Sequence, residues 1–333
     1  MDRMDFAQAV TRTRVLETRL LTKGRIERMV DARDIDEVFK ILGETEYQTA
    51  LTGVTRGEDY EKILSTELRR VYKLAHELTS EKSVVQLLSL RYDYHNLKVL
   101  VKETALQADL KDTYVNLGIT DFAKIKSAYL SGDMRDIEPR FAEALAAASK
   151  DFEATKDPQR TDMIIDRFYF DHLSAVAEGT KIPLFVDYVR TLIDFTNVKT
   201  LVRIKKLGKD LKFLEEVIIE KGNIPKEDIL LSLNDTLETM MNKMKGHKVS
   251  DDLRRGLESF QKTQRLSEFE RIFDNYLMRL NVPSKNIVFG PEPIFSYIVA
   301  KEAEIKALRI IMVSKLNKLS PESIRERLRE LYV

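Results

Sequence analysis

Apolar residues recur along most of this chain at alternating steps of three and four. Between residues 84 and 102, Leu87, Leu90, Tyr94, Leu97 and Val101 fall on one face of a helix. Residues 184–207 repeat the pattern through Tyr188, Phe195, Val198 and Val202. That stretch stops at Gly208, behind Lys205 and Lys206, whose charges suit a helix C-terminus. At about 1.5 Å per residue, the helix is on the order of 35 Å long. Ser320-Pro321-Glu322 supplies a capping hydroxyl, a proline for the first helical position and an acid for the first turn. No segment alternates with period two for long enough to predict a strand. The pattern predicts an all-α fold.

Two of these helices share more than periodicity. DYHNLKVLV (93–101) and DFTNVKTLV (194–202) carry the same order of acid, aromatic, Asn, aliphatic, Lys, Leu and Val, 101 positions apart. A weaker third copy, EIKAL (304–308), follows 107 positions later, with Lys301 and Glu302 in place of the acid and aromatic. Each copy follows an amphipathic, aromatic-rich segment: LRRVYKLAHEL (68–78), DRFYFDHLSAV (166–176) and EFERIFDNYLMRL (268–280). This triplication predicts three helical modules, 1–105, 106–210 and 211–333. A period near a hundred exceeds that of solenoid repeats, so each module needs its own small core. The residues that mark the repeat are Asp93, Asn96 and Lys98, then Asp194, Asn197 and Lys199, then Glu304 and Lys306. Tyr94 and Lys98, or Phe195 and Lys199, are one turn apart, so the lysine stem can lie along the ring. Asp93 and Asn96, three apart, can bond a neighbouring loop end. The motif reads as packing and not catalysis.

Composition narrows the function. Lys and Arg number 55 against 54 Asp and Glu, a balance that speaks against a nucleic-acid or membrane-surface binder. The 12 glycines and 8 prolines are about half of ordinary usage, which favours long uninterrupted helices. The absence of cysteine removes disulfides, thiolate metal sites and thiol nucleophiles. The N-terminal MDRMDFAQAV has no apolar signal core, and no apolar run approaches the roughly 18 residues of a membrane span, so a cytoplasmic protein is expected.

Candidate chemistry is sparse. Gly53 and Gly57, in LTGVTRGED, are not followed by the Lys-Ser or Lys-Thr of a phosphate loop. The four histidines are scattered, and His95 is replaced by Thr196 in the second copy. Asp31, Asp34 and Asp36 in DARDID could hold magnesium only with a facing acidic cluster, for which Asp251-Asp252 is the one candidate. They equally suit the start of the next helix. An all-α Mg-dependent enzyme built on that cluster is the alternative function. Six basic residues between Lys199 and Lys212, including Lys205, Lys206, Lys209 and Lys212, form either a solvated helix end or a docking patch for an acidic partner. Met240, Met241 and Met244 suit adaptable core filling or a pliable contact surface.

Five stretches carry a family resemblance: TRTRVLETRLL (11–21), LGETEYQTAL (42–51), LRYDYHNLKVLVK (90–102), FGPEPIFSYIVAKEAEIKALRIIMVSK (289–315) and SPESIRERLRELYV (320–333). The chain resembles the C subunit of archaeal and bacterial A/V-type rotary ATPases, related to the d subunit of the eukaryotic vacuolar pump. Thr11 and Thr13 depart from it, standing where smaller or apolar residues are expected. The resemblance implies a non-catalytic rotor part without cofactors, with three modules arranged as a funnel about a pseudo-threefold axis. It further implies D- and F-type shaft subunits and the membrane proteolipid ring as partners. The chain would then be peripheral on the cytoplasmic face, contributing no membrane span and binding no nucleic acid. Lys205, Lys206, Lys209, Lys212 and the loop at Gly290 are the expected contact points. The ion, H⁺ or Na⁺, is set in the ring.

Overall fold

The computed structural model describes residues 2–333. Among them no residue is in a strand, and the α-helices are α1 (Ala7–Glu17), α2 (Lys23–Asp31), α3 (Ile35–Leu42), α4 (Tyr60–Leu78), α5 (Lys82–Leu106), α6 (Phe122–Ser131), α7 (Pro139–Thr155), α8 (Pro158–Thr180), α9 (Pro183–Leu207), α10 (Leu211–Val217), α11 (Lys226–Leu231), α12 (Leu237–Lys243), α13 (Ser250–Thr263), α14 (Ser267–Asn281), α15 (Glu292–Leu316) and α16 (Pro321–Arg325). The chain is all-α. It divides into two compact units, one of Met1–Val85 and Asp251–Val333, the other of Gln86–Ser250.

In the first unit α15 is the central helix. Most of its residues from Glu292 to Ser314 are buried, so it is covered nearly all round and not along one stripe. Around it pack α1, α2, α3, α4, α14 and α16. The core joins Met29 and Val30 of α2, Val38 and Leu42 of α3, Ile63 and Leu64 of α4, and Ile305, Leu308, Ile311 and Met312 of α15. Each such side chain contributes about 1.5–3 kcal/mol on burial. α4 buries Ile63, Leu64, Glu67, Val71, Tyr72, Ala75 and Leu78, a helical stripe with one charged member. Asp34 accepts the Glu37 N–H and so starts α3 as its N-cap.

In the second unit α7 packs on α8 and α8 on α9 as successive helical hairpins. Both junctions are built alike. Lys156 and Lys181 close the preceding helix in the left-handed region (φ 57° and 59°), an extended residue follows, and Pro158 or Pro183 opens the next helix. Proline holds its predecessor extended and lacks the N–H that a first turn leaves unmet. Gly208 closes α9 at φ 64°, with its N–H on the Lys205 carbonyl. Tyr94, Phe141, Tyr169 and His172 form an aromatic cluster in this unit, with the Tyr94 hydroxyl 3.2 Å from His172 Nδ1.

Candidate functional site: a repeated helix-to-loop clamp

The Asp and Asn of the first two copies lie buried on the long helices α5 and α9, and they bind loops. Asn96 on α5 faces Val115 as one peptide faces another. Its Nδ2 donates to the Val115 carbonyl at 2.9 Å, and its Oδ1 accepts the Val115 N–H at 2.9 Å. One turn earlier, Asp93 accepts the N–H groups of Ile119 (3.0 Å) and Thr120 (3.2 Å). The loop passes so close that a Cβ on Gly118 would lie 2.0 Å from the Asp93 carboxylate. Asp121 then caps α6 by accepting the Ala123 N–H.

The second copy repeats these bonds. Asn197 donates to the Ile219 carbonyl (2.7 Å) and accepts its N–H (2.9 Å). Asp194 accepts the Ile224 N–H (2.9 Å) and the Asn223 amide (2.8 Å), and a Cβ on Gly222 would fall 2.4 Å from its carboxylate. In both copies Asp and Asn, three apart, present one helix edge to a returning backbone. Burial pushes the Asp93 carboxyl up to about 6 despite its two N–H donors, and it raises Asp194 as well.

The third copy keeps the grip with other chemistry. Glu304, at the Asn position, accepts the Leu21 N–H, so the gripped backbone comes from 283 residues upstream. A carboxylate cannot donate to a carbonyl, so the second half of the amide pair is replaced. Glu304 instead accepts from the Tyr47 hydroxyl and from Lys301 Nζ, each at 2.8 Å. Lys301 stands at the Asp position, reaches Glu67 at 2.9 Å, and lies 4.7 Å from the Tyr47 ring centre. Glu67 is held in turn by both nitrogen arms of Arg70. Lys301, Glu67 and Glu304 are 0%, 1% and 2% exposed, so this is a buried charge cluster. Burial alone would lower the Lys301 pKa, but the Glu304 and Glu67 carboxylates outweigh it and hold the ammonium well above the ordinary lysine range.

Each lysine of the motif is engaged. Lys98 pairs with Asp166 at 2.6 Å, Lys306 pairs with Asp274, and Lys199 also has a partner. Lys205 donates to the carbonyls of Ser232, Leu233 and Asp235, sealing the end of α11. Lys315 does the same for α2 through Val30 and Ala32. Lys209 lies over the Phe213 ring, and Lys212 is exposed. Gly290 (φ 127°) sits beneath the Arg3 guanidinium, which bonds the Phe289 carbonyl and Glu292. Arg14 fixes the same loop through the Ser284 and Ile287 carbonyls, both at 2.7 Å.

The acidic cluster is dispersed in its contacts. Asp34 caps α3, and Asp31 pairs with Arg325. Among the described residues, no group of three or more His, Asp or Glu is placed to hold a metal ion. His172 bonds Tyr94, and His95 lies 3.0 Å from the Thr113 carbonyl. No helix of the described residues is long and apolar enough to cross a membrane.

Sequence reasoning missed Lys301, Glu67, Tyr47, Arg3, Arg14 and Lys315. A signal existed for two of them. Glu67 occupies a core-facing position of the α4 stripe, and Lys301 interrupts the apolar run IFSYIVA. A charge at a core position requires a buried partner.

The sequence has relatives among known proteins. Residues 9–327 match the family described as ATP synthase (C/AC39) subunit. The C subunit of the V-type sodium ATPase of Enterococcus hirae is 26% identical over 317 residues, covering 95% of each chain. The C subunit of the A-type ATP synthase of Methanocaldococcus jannaschii is 23% identical over 350 residues, 98% of this chain and 87% of that one. That of Thermococcus gammatolerans is 25% identical over 331 residues, covering 95% and 87%. With residues 9–327 matched, which is nearly the whole chain, this chain belongs to the ATP synthase (C/AC39) subunit family.

Proposed function

We propose that this chain is the central-rotor spacer of a V/A-type rotary ATPase, seating the D- and F-type shaft of the head at one end and resting on the proteolipid ring at the other. Membership of the family makes it a non-catalytic part of such an assembly. In this reading the modules 1–105, 106–210 and 211–333 surround a pseudo-threefold axis as a funnel. The chain then lies peripherally on the cytoplasmic face and couples ATP turnover to H⁺ or Na⁺ movement.

The observation that supports this most is the reuse of one buried clamp at three places. A part that transmits torque must not store the work of each step as internal strain. Bonding each loop to the side of a long, close-packed helix limits the compliance that loops introduce. Partner contacts must hold under the same torque, which calls for area and complementary charge. We assign them to the Lys205–Lys212 stretch and to the loop at Gly290, with Lys205 orienting the stretch from within and Lys206, Lys209 and Lys212 meeting an acidic surface.

Affinity isolation of the tagged chain from detergent-solubilised membranes tests this, with shaft and ring expected to co-purify. Reversing Lys206, Lys209 and Lys212 to Glu should lower recovery in a salt-dependent way. Unchanged recovery removes that patch, and isolation of the chain alone removes the rotor assignment.

A further inference from the structure

A groove of roughly 810 Å³ in the first compact unit is lined by six arginines: Arg265, Arg271, Arg309, Arg325, Arg327 and Arg329. Only two glutamates, Glu268 and Glu326, line it with them, although the chain as a whole is nearly neutral. Glu268 is taken by both nitrogen arms of Arg271. An adjoining groove that shares Glu268 and Arg271 has four basic and four acidic side chains in its lining, so the excess is confined to this one. The walls are the start of α14 and the segment after α16. The floor is one face of α15, with Ile310 and the exposed Val313.

The tethering of the arginines shows what kind of anion would fit. Arg309 is held by Glu61, Arg325 by Glu27 and Asp31, and Arg329 by Asp274. These guanidiniums, like that of Arg271, are each offset by carboxylates of their own at separate points along the walls, so the free positive charge of the groove is not gathered at one point. A compact phosphate needs convergent donors. Among the described residues, the Arg265 and Arg327 guanidiniums have no hydrogen-bond or ion-pair partner, and both residues are exposed. Spread cations flanking an aliphatic floor complement a helix with an apolar stripe and acidic edges. Arginine suits that role because it is more weakly hydrated than lysine and can grip carboxylates bidentately.

We propose that this groove is the docking site for an acidic amphipathic helix of a protein partner, with Ile310 and Val313 receiving its apolar stripe and Arg265 and Arg327 its carboxylates. The inference does not rest on the rotor assignment, since it commits to the chemistry of the partner and not to its identity.

The test uses the full chain and a fluorescent synthetic peptide with Leu on one helical face and Glu on its flanks, read by anisotropy. Comparison ligands are a scrambled peptide of the same composition, poly-glutamate, inorganic polyphosphate and phosphatidylglycerol vesicles. The amphipathic peptide should bind in a salt-sensitive way, and the comparison ligands at least about tenfold more weakly. Arg265→Glu with Arg327→Glu should weaken peptide binding by roughly tenfold, whereas Lys at both positions should retain most of it. Both residues are exposed, so circular dichroism should show an unchanged fold. The lysine pair combined with Val313→Asp provides the same test should the charge reversal unfold the chain. No binding overturns the proposal, as does equal binding of any comparison ligand or indifference to the arginine changes. Such a failure leaves co-purification of shaft and ring untouched, so the two readings fail separately.

Discussion

Replacing Lys301 with Met removes the one cation shared by Glu67 and Glu304 while keeping side-chain volume. Glu67 retains the Arg70 guanidinium, so most of the cost falls on Glu304, which keeps only the Tyr47 hydroxyl and the Leu21 N–H. Breaking a buried pair typically costs about 3–5 kcal/mol, and the surviving Arg70 contact places this case near 3. Local opening of α15 and of the segment ending at Leu21 should accelerate by roughly two orders of magnitude. Hydrogen exchange read by mass spectrometry on peptides from residues 7–31 and 292–316 measures that directly. Changing Glu67 and Glu304 to Gln in the same molecule removes the stranded charges and should restore most of the protection. A single substitution costing less than about 1 kcal/mol, or a triple variant no better protected than the single, would refute the reasoning.

Asn197→Ala leaves the half-buried N–H and carbonyl of Ile219 without their side-chain partner and should cost about 1–3 kcal/mol, with fast exchange confined to residues 219–224. Gly222→Ala places a methyl 2.4 Å from the Asp194 carboxylate and should cost about 1–3 kcal/mol by chemical denaturation, whereas Gly179→Ala, with nothing within 4 Å, should not destabilise. Burial, aided by Arg140, brings His172 down to about 4 from 6.5, so its contribution is intact above pH 6.5 and is lost as pH falls toward 4, by about 3 kcal/mol. Asp93, raised to about 6 from 3.8, acts oppositely, since its protonation favours the fold as pH drops from 6 to 3.8. Melting curves of His172→Phe should therefore show greater resistance to acid than those of the parent chain.

The repeat and the helix that carries its second copy were legible in the sequence, because both rest on local rules. Periodicity and Gly208 place that helix at 184–207, and the structure has Pro183–Leu207. The partners of the motif were not legible. Val115 and Ile219 lie 19 and 22 residues downstream of Asn96 and Asn197, and a backbone N–H or carbonyl leaves no mark in a side-chain pattern. The third clamp was further from reach, because its loop precedes its helix by most of the chain. The stretches that carry the family resemblance nevertheless converge there: TRTRVLETRLL supplies Leu21, LGETEYQTAL supplies Tyr47, and IVAKEAEIKAL supplies Lys301 and Glu304. Lys205 reads in sequence as part of a basic surface run, yet its ammonium closes a helix end, because a long side chain can fold back onto carbonyls that only tertiary structure brings near.

Coupling is the claim on which the function depends, and ATP-driven ion uptake measures it most directly. Membrane vesicles depleted of this chain and then restored with it should hydrolyse ATP in both conditions but take up ions only when it is present. Uptake that proceeds equally well without the chain would contradict the role proposed for it, as the part that carries torque to the ring.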